Sequence, residues 1–267
     1  GTTNQYYNAS GTLPVNQSYE LDISGAKRET YVNFGSNYDD KLYLGVGVAM
    51  SNTRYDKTTI YSEKNDPNDT TTYIDEFSQA FYEEIDGRGY SLNFGAIYRP
   101  VDQLRIGLSF KSPELQNLTY KFDSDNITIE EDVAYEVISP VILEYRFRVT
   151  SPFQTTLGLA YTFRKLGLIS LEADYIDTRM MSMRGRSDSD PFNSENKAID
   201  NFLQPVLNIR SGLEYRITPF ISARAGYAHY GNPYKKAVGT DGSFQLYSVG
   251  AGYRIDQYLF DLSYQYM

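Results

Sequence analysis

The sequence predicts an all-β fold: an antiparallel up-and-down transmembrane β-barrel, with about ten strands present in the chain. Three observations predict it. Apolar and polar residues alternate with period two through most of the chain. A Gly-x-x-Tyr signature closes five of the alternating stretches: Gly35–Tyr38, Gly95–Tyr98, Gly158–Tyr161, Gly212–Tyr215 and Gly250–Tyr253. The connections between stretches alternate between short and long without exception.

The alternation is read in chain order. Leu42, Leu44, Val46, Val48 and Met50 share one face and Tyr43, Gly45, Gly47, Ala49 and Ser51 the other. Leu92, Phe94, Ala96 and Tyr98 alternate with Asn93, Gly95, Ile97 and Arg99, and Leu104, Ile106, Leu108 and Phe110 with Arg105, Gly107, Ser109 and Lys111. One phase is expected to hold from Leu143 through Tyr145, Phe147 and Val149 to Leu157, Leu159, Tyr161 and Phe163. Further stretches run over Ile169–Tyr175, Leu207–Tyr215, Ile221–Tyr227, Tyr247–Tyr253 and Phe260–Tyr266. Residues three apart in a strand face opposite sides, so each signature sets glycine on one face and tyrosine on the other. Tyrosines at one height on the apolar face form an interfacial belt: Tyr38, Tyr98, Tyr161, Tyr215 and Tyr253. The second face carries Arg105, Arg146, Arg148, Glu172, Asp174, Arg210, Glu214, Arg224, Arg254 and Asp261. A soluble sandwich would also alternate. It accounts less well for stretches of about ten or more residues with aromatic ends, since a tilted spanning strand needs roughly 9–11 residues.

Short turns fall at Tyr38–Lys41, Pro100–Asp102, Arg164–Gly167, Thr218–Pro219 and Asp256–Gln257. Long polar connections fall at Asn52–Glu83, Asp123–Ser139, Ser182–Asn201 and Gly231–Gly242. Outer-membrane barrels have short periplasmic turns and long outer loops, which sets the Gly-x-x-Tyr ends at the periplasmic rim. A spanning sheet has to close, because an open edge in lipid leaves backbone groups unsatisfied. A chain that starts on a descending strand and ends on an ascending one is therefore expected to lack something at both ends. The start at Gly1, without an initiator methionine, reads as a processed or truncated chain. Residues 1–17 are expected to be irregular and residues 18–267 to form the barrel.

Composition agrees. The 267 residues include 26 Tyr and 14 Phe but neither Trp nor Cys, so disulfides and cysteine metal sites do not arise. The net charge of −9 argues against a nucleic-acid partner. A mean hydropathy of −0.48, with no apolar run near 18 residues, excludes a helical membrane protein but not a barrel.

Four segments carry a family resemblance: Gly89–Asp102, Leu104–Pro113, Ser151–Tyr161 and Ala223–Pro233. Together, from about Ser18 to Met267, the chain resembles the FadL-type outer-membrane transport family of fatty-acid and aromatic-hydrocarbon channels. That family has a fourteen-stranded barrel plugged by an N-terminal hatch. The resemblance implies that the strands here correspond to its fourth through thirteenth. The hatch, the first three strands and the closing strand have no counterpart, although the hatch and a kinked third strand form the family's ligand exit.

The resemblance implies passive uptake of a small hydrophobic, fatty-acid-like or hydrocarbon molecule across a bacterial outer membrane, with outer-membrane lipid around the barrel. Capture would fall to an outer loop. Ile74, Phe77 and Phe81 stand at helical spacing in that loop, with Thr72 placed to cap a short helix over the barrel mouth. Arg146, Arg148, Arg210 and Arg224 are candidates to pair with a ligand carboxylate, and equally to form a salt-bridge ladder with Glu144, Glu172, Asp174 and Glu214. His229, the single histidine, lies by parity on the outward face. No nucleophile constellation, phosphate loop, cofactor motif or metal-ligand spacing stands out, so an enzyme is not expected. The alternative is a surface barrel that holds a protein partner on its long acidic loops, as in secretion-shuttle or assembly components.

Overall fold

The structure, a computed structural model, describes residues 15–69, 74–130, 133–138, 143–163, 166–186 and 192–267. Its strands are β1 (Asn16–Tyr38), β2 (Leu42–Lys64), β3 (Ile74–Val101), β4 (Leu104–Lys111), β5 (Leu115–Glu130), β6 (Val133–Ile138), β7 (Leu143–Thr150), β8 (Gln154–Thr162), β9 (Gly167–Ile176), β10 (Ser182–Gly185), β11 (Val206–Arg216), β12 (Ile221–Tyr230), β13 (Phe244–Ile255) and β14 (Tyr258–Tyr266). They form one sheet in the order β10-β7-β5-β3-β4-β8-β9-β11-β12-β13-β14, with β2 joining β1 to β3 and β6 on β5. β4 and β5 are two halves of one pass, as are β7 and β8, and β6 and β10 are short additions. The expected ten passes are all present. Of the segment expected to be irregular, residues 1–14 lie outside the described residues, and β1 already begins at Asn16.

The turns follow from local chemistry. Asp39, Asp40 and Asp256 hold positive φ angles of 53°, 50° and 49° in the β1–β2 and β13–β14 turns. Short polar side chains tolerate that left-handed backbone better than most. The two halved passes break at Ser112-Pro113 and Ser151-Pro152, where proline has no N–H to give to the ladder. In both breaks the serine repairs the pairing. Ser112 N donates to Leu92 O, and the Ser112 hydroxyl accepts from Leu92 N at 2.9 Å. Ser151 N donates to Glu114 O, and its hydroxyl accepts from Glu114 N at 2.9 Å.

The chain divides into two compact units. One comprises residues 29–51, 89–116 and 148–267. Its apolar face has almost no protein over it. Among the described residues, its buried hydrophobic ones are only Ala49, Val206 and Ala228, whereas Leu44, Val46, Leu92, Leu157, Leu171, Leu213 and Val249 are 43–59% exposed. A water-soluble sheet would cover such a surface. The five tyrosines of the Gly-x-x-Tyr signatures are exposed as well, from Tyr161 at 41% to Tyr38 at 76%. A ten-residue helix, α1 (Asn193–Phe202), occupies part of one long connection.

The other unit comprises residues 1–28, 52–88 and 117–147. The sequence reading is corrected here. β2 and β3 run for 23 and 28 residues, so most of the expected polar connection Asn52–Glu83 is strand. Ile74, Phe77 and Phe81 lie on β3 and not on a helix, and the proposed cap Thr72 lies outside the described residues. Asn65 N donates to Asp75 O and the Asn65 side chain to Ile74 O, which extends the β2–β3 pairing into this segment. Partnered ladder positions win over helical spacing, because an isolated short helix is marginal in water.

Candidate functional site

Within the larger unit, alternation gathers the polar side chains of β3, β4, β8, β9, β11, β12 and β13 on one face, and the register sets which of them meet. Ile97 pairs with Gly107, Gly107 with Gly158, Gly158 with Glu172, and Glu172 with Arg210. Two adjoining grooves of about 430 and 440 Å³ lie along this row, sharing Ile97, Gly107, Gly158 and Glu172. A side chain added at Gly95 or Gly158 would meet nothing within 4 Å, so these glycines floor open space.

At the end of the row stands an ion network. Arg210 Nε donates to Glu172 at 2.9 Å, and its Nη2 lies 2.5 Å from Asp174. Asp174 is 2% exposed and accepts a further bond from the Thr156 hydroxyl at 2.6 Å. A second network joins Arg224 to Glu214 at 2.9 Å and to Asp261. Arg210 and Arg224 thus lie on the expected face, each already paired by two carboxylates. A buried carboxylate requires such pairing.

Arg146 and Arg148 lie on β7, before the Ser151-Pro152 break. Arg146 pairs with Glu144 at 2.8 Å, and Glu144 also raises the pKa of Lys121, whose larger cause is its bond to Glu84. Lys121 lies 3.1 Å from Glu84 and 3.8 Å from Asp86. These charges share one face of the smaller unit. β7 and β8 are separate strands that break at Ser151-Pro152, so the single phase read across Leu143–Phe163 does not hold.

The opposite face of the smaller unit is aromatic. The Phe81 and Phe122 rings stack with centroids 5.9 Å apart, and the Tyr145 and Phe147 rings at 6.1 Å. By alternation Phe77 shares the face of Phe81, and Ile74 faces the other way. Beside the stack, Lys57 pairs with Glu83 at 2.6 Å, and the Tyr120 hydroxyl donates to Glu83 at 2.9 Å. The Lys57 ammonium holds the Glu83 carboxyl below its usual range despite partial burial. Burial, with the bond to Glu83, pushes Tyr120 up to about 12. A groove of about 290 Å³ runs past Lys57, Glu83, Lys121 and Phe122. Tyr120, Phe122 and the two Ser-Pro breaks were not singled out from sequence. The paired Ser-Pro dipeptides were the signal that could have revealed the breaks. Among the described residues, no His/Cys/Asp/Glu cluster forms a metal site.

No protein-family model matches the sequence, and no curated protein does. Among solved structures, a FadL homologue from Pseudomonas aeruginosa superposes with a TM-score of 0.60 at 14% identity, over 92% of this chain and 60% of that one. The chain thus has the FadL-type β-barrel fold and spans 60% of the length of that relative. The toluene transporter TodX from Pseudomonas putida matches over 94% of this chain and 81% of its own, at 11% identity and a TM-score of 0.43.

Proposed function

We propose that this chain is part of an outer-membrane channel for passive uptake of small hydrophobic molecules. One observation carries the reading: the sheet exposes a continuous apolar face ending in tyrosines, while its reverse is a polar face with a glycine-floored groove. Lipid is the solvent that suits the first face, and a water-filled interior suits the second. Phe77, Phe81, Phe122 and Tyr120 form the aromatic surface proposed for capture, by burial of ligand area. Arg210 and Arg224, held by carboxylates, act first as supports of the conduit wall. They meet a ligand carboxylate only by exchanging an internal partner for it.

Substitution of Gly158 by Phe tests the conduit. Nothing lies within 4 Å of an added Cβ there, so the substitution starts from open space on the groove side. Uptake of a labelled hydrocarbon or fatty acid into proteoliposomes or cells should fall severalfold, with folding and membrane insertion unchanged. Undiminished uptake would remove the groove from the path. A protein partner on the outer loops is the alternative, and a stoichiometric protein co-purifying with the parent, with uptake undiminished in Gly158→Phe, would favour it.

A further inference from the structure

The geometry points to a binding pocket for a compact aryl carboxylate at the short-turn end of the polar face, with Arg254 and Ser222 as its recognition groups. The pocket lies wholly within the larger unit and goes beyond the uptake reading.

Register assembles the pocket. Arg216 pairs with Ser222, Ser222 with Gly252 and Gly252 with Asp261, so β11 to β14 meet here at one height. Alternation sets these residues on the polar face, with Glu214 and Arg224 one step above. One step nearer the turns, Arg254 N donates to Phe220 O at 2.8 Å, and Arg254 stands opposite Leu259. Arg216, Ser222, Arg254, Ile217, Phe220 and Leu259 line a pocket of about 410 Å³. Buried Gly252 lies beneath it, and an added Cβ there would meet Ser222 Oγ at 2.6 Å and Asp261 Oδ1 at 2.7 Å.

The charges beside the pocket do not balance. Arg224 holds Glu214 at 2.9 Å and Asp261 as well, while Arg216 lies 3.8 Å from Glu214. Among the described residues, the Arg254 guanidinium makes no ion pair and the Ser222 hydroxyl no hydrogen bond. Arg216, Arg224 and Arg254 thus face Glu214 and Asp261, which leaves one positive charge over. Asp256, in the turn beyond Arg254, is not part of the lining. A surplus of one charge suits a monoanion, and a guanidinium binds a carboxylate through two parallel N–H···O bonds. Ser222 adds a hydroxyl donor from the floor. Ile217, Phe220 and Leu259 are 53–59% exposed, so an apolar body seated against them removes area that solvent now covers. Phe220 gives that body a ring to pack on. Benzene fills a cavity of about 150 Å³, so the volume suits one or two rings with their carboxylate.

The test uses the protein in neutral detergent, with 2-naphthoate as the probe and equilibrium dialysis as the readout. The parent should bind 2-naphthoate about tenfold more tightly than neutral 2-naphthamide, from one charge-assisted pair. Arg254→Gln should lower naphthoate affinity about tenfold and leave naphthamide binding unchanged. Ser222→Ala, which breaks no other bond, should lower naphthoate affinity severalfold and carries the same test through a second group. Arg105→Gln removes a cation from the adjoining groove and should bind as the parent does. Gly158→Phe, which fills that groove, should also bind as the parent does. Equal naphthoate binding by parent and Arg254→Gln, or equal affinity for naphthoate and naphthamide, overturns the assignment. Loss of binding in Arg105→Gln or Gly158→Phe overturns it too, by moving the anion into the groove. These results leave the uptake reading in place, since Gly158→Phe tests that by transport.

Discussion

Asp174 and Arg224 show how the setting of a charge decides its worth. Asp174 is almost fully enclosed and is held by Arg210 and Thr156. Asp174→Ala strips Arg210 of one of its two carboxylates, and because the guanidinium keeps Glu172 and stays partly exposed, the cost should be about 1–3 kcal/mol, below that of a fully buried pair. Arg224 is more exposed and has two partners that are themselves open to water. Arg224→Ala should cost no more than about 1 kcal/mol. Urea unfolding of the two variants in the same detergent, followed by tyrosine fluorescence, checks the order. The Lys57–Glu83–Tyr120 cluster sets a pH window. Glu83 is depressed, so its contribution is present above the ordinary carboxylate range and is lost as pH falls through its folded value. Tyr120 is raised to about 12, so the folded state keeps a proton that the unfolded chain gives up near 10, and stability declines as pH rises between the two. A phenolate absorbance titration should show one tyrosine ionising near the top of the range. Glu83→Gln should bring that transition down, and Tyr120→Phe should abolish it.

The strand elements were largely legible because a sheet with one apolar and one polar face writes period two into every strand. Two kinds of information were not in that pattern. The spacing of Ile74, Phe77 and Phe81 fits a helix face, but Phe77 and Phe81 fit a strand face equally. Only the pairing of Asn65 with Asp75 decides between them. The break at Ser151-Pro152 was also hidden, since alternation reads the same on either side of it. The face expected for Arg146 and Arg148 rested on that single phase. Arg210 and Arg224 stay on one face with their carboxylates because β9, β11 and β12 pair without interruption, Glu214 opposite Arg224 and Arg210 opposite Glu172. The Ser-Pro breaks themselves make a prediction. Ser151→Ala removes the acceptor of Glu114 N, and Ser112→Ala that of Leu92 N. Each should cost about 1–3 kcal/mol by leaving a backbone donor unmet, and threonine should restore most of it. Thermal unfolding of the four single variants in one detergent is the comparison. An alanine series indistinguishable from the parent would mean that water already serves those donors.

For the molecule as a whole, everything turns on which solvent each face of the sheet meets. The absence of cysteine makes that directly measurable, since a single introduced cysteine carries the only label. Leu157 and Gly158 are neighbours on β8 with opposite facing: Leu157 is 51% exposed on the apolar side, and Gly158 floors the groove. A fluorophore at Leu157→Cys should be quenched by a nitroxide carried on lipid acyl chains and be insensitive to aqueous iodide. A fluorophore at Gly158→Cys should show the reverse. On β2, Val46→Cys should likewise be quenched by nitroxides carried on the acyl chains, because Val46 alternates outward with Val48 and Met50. Equal aqueous quenching at Leu157 and Gly158 would mean that water bathes both sides of β8. The conduit would then fall, whereas the fold, which rests on strand pairing, would stand.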